Sequence, residues 1–556
     1  MNGTPDPRAK YEAAARQRQA CVEAVLNSPS TKKIVVGGPG TGKTFLFKKL
    51  LEPTDKSLTL TFVNSLVEDL SLELCGLSEV KTLHAFARGI LGAVAKDAKV
   101  FPKLSAVIRE DATILIPKDI DFDTVFHNRD DNNEHIPFYR GRKDYYKHYG
   151  FADIVFAAVK LFEAKPQKIP AYEQIVVDEF QDFNKLEVSL IDLLATKSPV
   201  LLAGDDDQAL YAFKSASTEH IRQRHSDKKS GYTSFNLPYC SRCSRVIVQA
   251  ANDIIAAAKQ RGHLKGRIEK PYVYFEDPRK DKESAQNPKI IYAQVFAKQI
   301  PWFIEQRIGE LAEQVKGKFS VLIISPTKTQ SRMIADALRN KGLENIDAAE
   351  KHDLKEPTLL DGLKLLLNDR KCNLGWRIVC KSLLPEAQFQ SMLKQTCPPN
   401  SKNFSEIASR DLKRRVASLL KVLRQITGDE QVDEQELSTV LKTLGLDPHQ
   451  MTRDHLKEDI ASNSRPPGNP SIRKIPIKAT TIQSSKGLAA EYVFITNFDD
   501  QYFVANRDKS KISDQNICNF LVALTRAKRR VFLVSSDTKK QPAFLQWISP
   551  GHIEVV

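Results

Sequence analysis

One stretch limits the fold of this chain more than any other. KKIVVGGPGTGKTFLFKKLLE starts as a short, continuously apolar run, passes through a glycine-rich loop and continues into a helix-like segment. A continuously apolar run of this length is the mark of a strand buried on both faces, as in a parallel sheet covered by helices. The loop, residues 37–44, fits G-x-x-x-x-G-K-[ST] and lies between strand and helix, where that motif must lie. Gly37, Gly40 and Gly42 let the backbone turn its N–H groups toward phosphate oxygens at a helix N-terminus, with Gly38, Pro39 and Thr41 completing the turn. Lys43 is placed to reach the β- and γ-phosphates of a nucleotide, and the Thr44 hydroxyl to ligate Mg²⁺.

More apolar runs of the same kind recur at 58–63, 174–177, 199–203, 320–324 and 491–496, with helix-like segments between them. That alternation predicts an α/β protein. The strands fall into two sets, before about residue 205 and after about 320, so two α/β cores are expected. Mainly helical stretches at 85–118 and 357–460 interrupt them, and 405–427 repeats apolar residues at helical spacing. Residues 278–288 and 464–470 read as linkers or long loops, because Pro, Gly and Asn break the pattern there, and 396–400 marks another break. The length, 556 residues, suits several domains. No stretch approaches a membrane span and no signal-peptide core opens the chain. Eight scattered cysteines then fit a reduced, cytoplasmic setting. The net charge of +15 suggests a polyanionic partner without identifying it.

The run IVVDEFQDFNKLE, 175–187, supplies the second half of a nucleotide site. Asp178 ends an apolar strand and can hold Mg²⁺ at the carboxyl edge of a sheet. Glu179 follows it, placed to polarise an attacking water, which points to a hydrolase rather than a small-molecule kinase.

DEFQD, followed by LLAGDDDQALYAFKSA at 201–216, resembles motifs II and III of the UvrD/Rep-like superfamily 1 DNA helicases. The resemblance continues in family order through LTFVNSLVEDL (60–70), TLHAFARGIL (82–91), LPYCSRCSRVI (237–247), TTIQSSKGLAAEYVFI (480–495) and LVALTRAKRRVFLV (521–534). It implies two RecA-like P-loop NTPase cores in tandem, each with a mainly helical insert. The first core would take 1–90 and 155–240 with insert 91–154; the second would take 241–350 and 468–556 with insert 351–467. ATP and Mg²⁺ would bind between the cores, and single-stranded DNA would cross both.

The resemblance also implies residue roles. Gln208 matches the γ-phosphate-sensing Gln, and Arg242 and Arg526 match arginines that offset transition-state charge, a contribution of roughly 10³–10⁵ in rate. Gln17 matches the adenine-reading Gln, with Gln19 an alternative register, and Gly487 belongs to the nucleotide set. Tyr211, Phe213 and Lys214, with Phe62, Asn64 and His84, match DNA-contact positions. Aromatics at such spacings are often core, a reading that suits Phe62 as well as stacking does while Tyr211 and Phe213 favour stacking; Lys214 stands where Arg is usual, keeping the charge without the planar fork. Asp205, Asp206 and Asp207 read as loop and helix-capping acids rather than a metal cluster. The basic and aromatic run 138–149 suits a single-strand surface and a solvated loop equally. CSRC at 240–243 has no second ligand pair for zinc.

Some positions depart from the family. Ser241 replaces a base-stacking Tyr and Phe45 an Arg, so stacking is expected to be rebuilt with Phe45 or Tyr239. Ala489 replaces a ribose-reaching Glu, with Glu491 two residues on, and Gln483 replaces a His. The expectation is an ATP-driven DNA translocase and helicase moving 3′ to 5′ on single strands and at single/double-strand junctions, in repair, replication or phage defence. The alternatives are a translocase without productive unwinding that serves a partner nuclease, and a nucleotide-dependent DNA-binding switch. The positive charge should line a groove over both cores.

Overall fold

The computed structural model describes residues 7–53, 56–62, 64–93, 99–211, 214–315, 317–343, 345–348, 356–399, 401–427, 434–444, 475–504 and 512–556. The chain forms two compact units. Residues 1–86, 159–351 and 472–556 make one; residues 87–158 and 352–471 make the other.

The first unit is built on two parallel sheets. The first sheet contains β1 (Lys32–Gly37), β2 (Ser57–Thr61), β3 (Glu79–Thr82), β4 (Gln174–Val177), β5 (Val200–Gly204) and β6 (Thr233–Leu237). Their order is β3-β2-β4-β5-β1-β6. Val35 pairs with Ala203 and Val176 with Leu201, which puts these four side chains on one face. Val22 and Val25 of helix Pro7–Leu26 and Leu46 and Phe47 of helix Lys43–Leu50 cover that face. A short ladder of β7 (Tyr239–Cys240) and β8 (Val273–Tyr274) follows.

The second sheet contains β9 (Ile290–Gln294), β10 (Val321–Ser325), β11 (Ile346–Asp347), β12 (Ile477–Thr481), β13 (Ala490–Thr496), β14 (Ala527–Ser535) and β15 (Ile553–Val555), in the order β11-β12-β10-β13-β14-β9-β15. Its strands are buried on both sides. Leu322, Ile324, Val493, Ile495, Val531 and Leu533 pack in one core, with helices Arg245–Gln260 and Asp514–Leu524. Their neighbours Val321, Ile323, Phe494, Phe532 and Val534 pack in another, with helices Ile300–Gln314 and Lys328–Arg339. This two-residue alternation between apolar faces is why the strands read as continuous apolar runs.

The second unit is helical among its described residues. Helices Leu104–Leu115 and Ile136–Tyr146 of the earlier segment meet Asn373–Leu383 and Glu386–Lys394 of the later one around a buried charge cluster. Asp111 accepts from Arg142 Nε at 2.8 Å, Tyr146 Oη at 2.6 Å and Arg377 Nε and Nη2 at 3.0 and 2.9 Å. Arg142 also donates to Thr396, and Arg377 to Glu110. Removing one partner of such a buried cluster typically costs about 3–5 kcal/mol.

The apolar runs fall on β1, β2, β4, β5, β10 and β13. β6, β9, β12 and β14 lie outside the runs singled out, since TSFNL and IKATT mix polar residues in and AKRRVFLVS opens on charge. The expected loop at 278–288 is instead a helix, Pro278–Gln286. Proline is tolerated in the first helical turn, and the Asp277 carboxylate caps the amides of Arg279 and Lys280. The 138–149 run is neither open loop nor free surface throughout, because Tyr139, Arg142 and Tyr146 are buried in a helix. Segment 405–427 breaks into Phe404–Ile407 and Arg410–Thr427. Residues 464–470 lie outside the described residues. Among those described, no helix is long and apolar enough to cross a membrane.

Candidate active site

The strand order sorts the chemistry along the carboxyl edge of the first sheet. β1 ends in the phosphate loop, β4 in Asp178 and β5 in the Asp205–Gln208 turn, and these three strands are neighbours. β2 and β3, on the far side of β4, lead to Phe62 and His84. The nucleotide candidates and the strand-contact candidates therefore occupy adjoining halves of one edge.

In the loop, Gly42 has φ +94° and Gly40 has φ +71°, a region that favours glycine. Gly40 is also closely approached, since a Cβ there would lie 2.3 Å from the Arg242 Cβ. The Ser241 amide donates to the Gly40 carbonyl at 2.9 Å. The loop and the arginine segment are thus fitted to each other. Lys43 Nζ donates to the Gly37 and Gly38 carbonyls at 3.0 and 3.4 Å, and Thr41 Oγ1 to the Gly38 carbonyl at 2.9 Å. Thr44 stands in the first turn of the helix that follows.

Asp178 is buried and accepts from the Glu179 amide at 2.9 Å. Glu179 has φ +54°, an uncommon conformation for a side-chain-bearing residue that aims its carboxylate back into the site. Gln181 holds that carboxylate, donating at 2.6 Å, while its own carbonyl accepts from the Asp205 amide at 2.9 Å. The two adjacent acids are driven apart. Burial, with the Glu179 charge beside it, pushes Asp178 up. Burial would also raise Glu179, but Lys486 and Lys43 hold it well below the usual carboxylate range.

The second sheet supplies cations. Lys486, in the turn between β12 and β13, pairs with Asp182, lies 3.5 Å from Glu179 Oε2 and donates to the Gln208 carbonyl at 3.0 Å. Gly487 follows it, with φ +84°. Arg526, at the start of β14, donates from Nη2 to Gln208 Oε1 at 2.7 Å. Gln208 Nε2 in turn donates to Asp205 Oδ2 at 2.7 Å. Burial and the neighbouring Arg242 bring Arg526 down to about 10, so it remains a cation at neutral pH. Lys43, Asp178, Glu179, Gln208, Arg242 and Arg526 therefore share one site.

Gln17 accepts from the Tyr239 hydroxyl. Arg18 lies over the rings of Phe45 and Phe275, 5.9 and 5.0 Å from their centroids, and Phe45 is 43% exposed. These residues form a partly open aromatic and cationic rim beside the phosphate loop. Glu491 is engaged elsewhere, by Ser320 and Lys528.

Asp205 caps its turn as expected, accepting from the Asp207 amide, but Asp206 and Asp207 are more than caps. The Lys270 ammonium sits among all three acids at 2.5–2.9 Å. Arg267 pairs with Asp207 and Arg222 with Asp206. This acidic group already holds its cations, which leaves Thr44 and Asp178 as the hard-oxygen donors suited to Mg²⁺ beside a phosphate.

On the other half of the edge, Phe62 packs against Tyr211 at 4.7 Å and Phe183 at 5.7 Å, and Lys214 lies over both Phe62 and Tyr211. Lys486 is 5.9 Å from the Tyr211 ring, so this cluster touches the counter-ion of Glu179 and Asp182. His84 is half-buried in the first turn of helix Leu83–Gly92. Asn64 begins helix Asn64–Glu73, with its side chain outside the described residues; Phe213 lies outside them altogether. Sequence reasoning missed Lys486, Gln181 and Arg18. Lys486 directly precedes Gly487, and that adjacency was the available signal.

Part of the chain is similar to the UvrD/REP helicase N-terminal domain family. That family's model matches residues 127–229, which hold Asp178, Glu179 and Gln208. The chain is similar to DNA helicase II of Haemophilus influenzae, at 36% identity over 116 residues, covering 20% of this chain and 16% of the relative. It is also similar to the ATP-dependent DNA helicase PcrA of Staphylococcus aureus, at 24% over 229 residues, covering 39% and 29%. For PcrA of Staphylococcus epidermidis the figures are 34% over 116 residues, 20% and 16%. The matches thus span less than a third of these relatives' own length.

Proposed function

We propose that this chain is an ATP-dependent DNA motor, a translocase and helicase of the UvrD/Rep-like kind. In this reading its two sheets are RecA-like cores and the helical segments are their inserts. It moves 3′ to 5′ on single-stranded DNA. The observation that carries the reading is the 2.7 Å hydrogen bond from Arg526 of the second sheet to Gln208 of the first, beside Lys43, Asp178 and Glu179. Residues of both sheets complete the site, so a change at the nucleotide alters how the sheets meet. The helicases the chain resembles support the choice of DNA as track.

The phosphate loop and Lys43 hold the phosphates, and Thr44 and Asp178 hold Mg²⁺. The bound Mg²⁺-nucleotide supplies the bond to be cleaved and an electrophilic γ-phosphorus. Glu179, ionised at neutral pH, orients a water and accepts its proton. Gln208 senses the γ-phosphate, while Arg242 and Arg526 offset charge developing on it. Gln17, Phe45 and Tyr239 face the base. Tyr211, Phe62 and Lys214, with Phe213, Asn64 and His84, form the single-strand contact, and their link to Glu179 runs through Lys486.

The test is ATP hydrolysis with and without single-stranded DNA, for the wild type and Lys43→Ala. Strong stimulation by DNA, lost by roughly 10³-fold or more in the variant, is expected. Equal hydrolysis without DNA would overturn the motor. Forked duplexes with only a 3′ or only a 5′ tail then read polarity, and unwinding from the 5′ tail alone would overturn the direction.

A further inference from the structure

Two cysteines flank Arg242 in CSRC, 240–243, and the nucleotide reading gives them no role. Cys240 ends β7 and Cys243 precedes helix Arg245–Gln260, so a four-residue turn carries Ser241 and Arg242 at its inner positions. The Cys243 amide donates to Cys240 Sγ at 3.4 Å. The Tyr272 hydroxyl lies 3.3 Å from one sulfur and 3.9 Å from the other, and donates to the Pro39 carbonyl at 3.0 Å. Cys243 Sγ donates to the carbonyl of Thr525, which precedes Arg526, at 3.6 Å. The sulfur pair thus lies in the Arg242 segment, meets the Arg526 segment at Thr525 and reaches the phosphate loop through Tyr272. Burial would raise the Cys240 thiol, while the Cys243 amide that donates to its sulfur favours the nucleophilic thiolate.

We propose that Cys240 and Cys243 are a redox modification site, closing to a reversible disulfide around Arg242 that slows nucleotide turnover. The effect on turnover rests on the function proposed above; the disulfide itself does not. The oxidant is a hydroperoxide. The Cys240 thiolate attacks one peroxide oxygen, the O–O bond breaks, and the departing oxygen leaves as water after protonation. The Cys243 sulfur then displaces hydroxide from the Cys240 sulfenic acid, and its proton leaves with that hydroxide as a second water. Two thiols and one hydrogen peroxide yield one disulfide and two waters; a dithiol reverses the change. Both sulfurs are buried, and Cys240 lies in the two-residue β7–β8 ladder, a short unit whose local opening would admit a small oxidant. Closure takes Cys243 off Thr525 and tightens the turn that presents Ser241 to Gly40.

The whole chain is treated with hydrogen peroxide, its free thiols are alkylated, and its peptides are weighed. The expected product links 240 to 243, is lighter by two hydrogens and is restored by dithiothreitol. Hydrolysis falls roughly tenfold or more in the oxidised protein, as misplacing an arginine finger requires. Cys240→Ser and Cys243→Ser each keep an oxidised-to-reduced rate ratio near one. Variants at the less buried Cys21, Cys75 and Cys397 keep the wild-type ratio. Free thiols at 240 and 243 after oxidation of Cys75 would overturn the proposal, as would a disulfide that leaves turnover unchanged. Binding of a fluorescent nucleotide analogue is read alongside. A reduced chain that does not hydrolyse ATP then overturns the motor while the peptide masses and the binding still decide this site.

Discussion

Two of the buried charge clusters among the described residues are built on opposite plans. Around Asp111 in the helical unit, two guanidiniums, a tyrosine hydroxyl and Glu110 satisfy one another in fixed geometry on ordinary helices. Around Glu179 in the sheet unit, Asp178, Glu179 and Asp182 stand close together just past β4, one on a residue with φ +54°, and Lys486 is shared between Glu179 and Asp182. In the second cluster neighbouring acids are driven in opposite directions, Asp178 up and Glu179 down. A balanced cluster orients helices; around Glu179 the cations keep one carboxylate ionised beside another that burial raises. Burial of charge alone does not distinguish structure from chemistry.

Three changes sharpen that contrast. Lys486→Met removes the shared cation, and hydrolysis should fall about 100-fold or more, the size of one lost electrostatic contact in a preorganised site. A DNA-stimulated rate near wild type would make Lys486 a structural residue like those around Asp111. Asp111→Asn should do the reverse. It destabilises the helical unit by about 3 kcal/mol, visible as faster hydrogen exchange in 104–115 and 373–383, and leaves basal hydrolysis within a few-fold. The smallest effect concerns Asp153 in the helical unit, raised to about 7 chiefly by burial. Its folded value exceeds its unfolded one, so its contribution to stability is complete below the ordinary carboxylate range and is lost as pH rises through about 7. The urea midpoint of the wild type should therefore decline from pH 5 to 8 relative to Asp153→Asn. Parallel curves would contradict this.

What the sequence made legible was local. The phosphate loop and Asp178 each sit in one short run that specifies both strand and chemistry, so residue type and placement could be read together. Lys486 could not be read that way, because its partner Asp182 is 304 residues away. Tyr272 and Pro39 are 233 apart. The helix at 278–286 was hidden because its proline and its charges look like a linker until Asp277 is seen as a cap. The net charge also reads differently. Lys270, Arg267, Lys486, Arg526, Arg142 and Arg377 are buried against acids or at the nucleotide site, so the +15 is not all surface for a polyanion.

The central claim is that one hydrolytic site is made by two sheets, and a double-mutant cycle on Gln208 and Arg526 tests it most directly. DNA-stimulated ATP turnover is measured for Gln208→Ala, Arg526→Ala and the pair. If the two act as a unit, the double variant loses little more than the worse single one. Losses that multiply would mean the sheets act independently, and the account would fail.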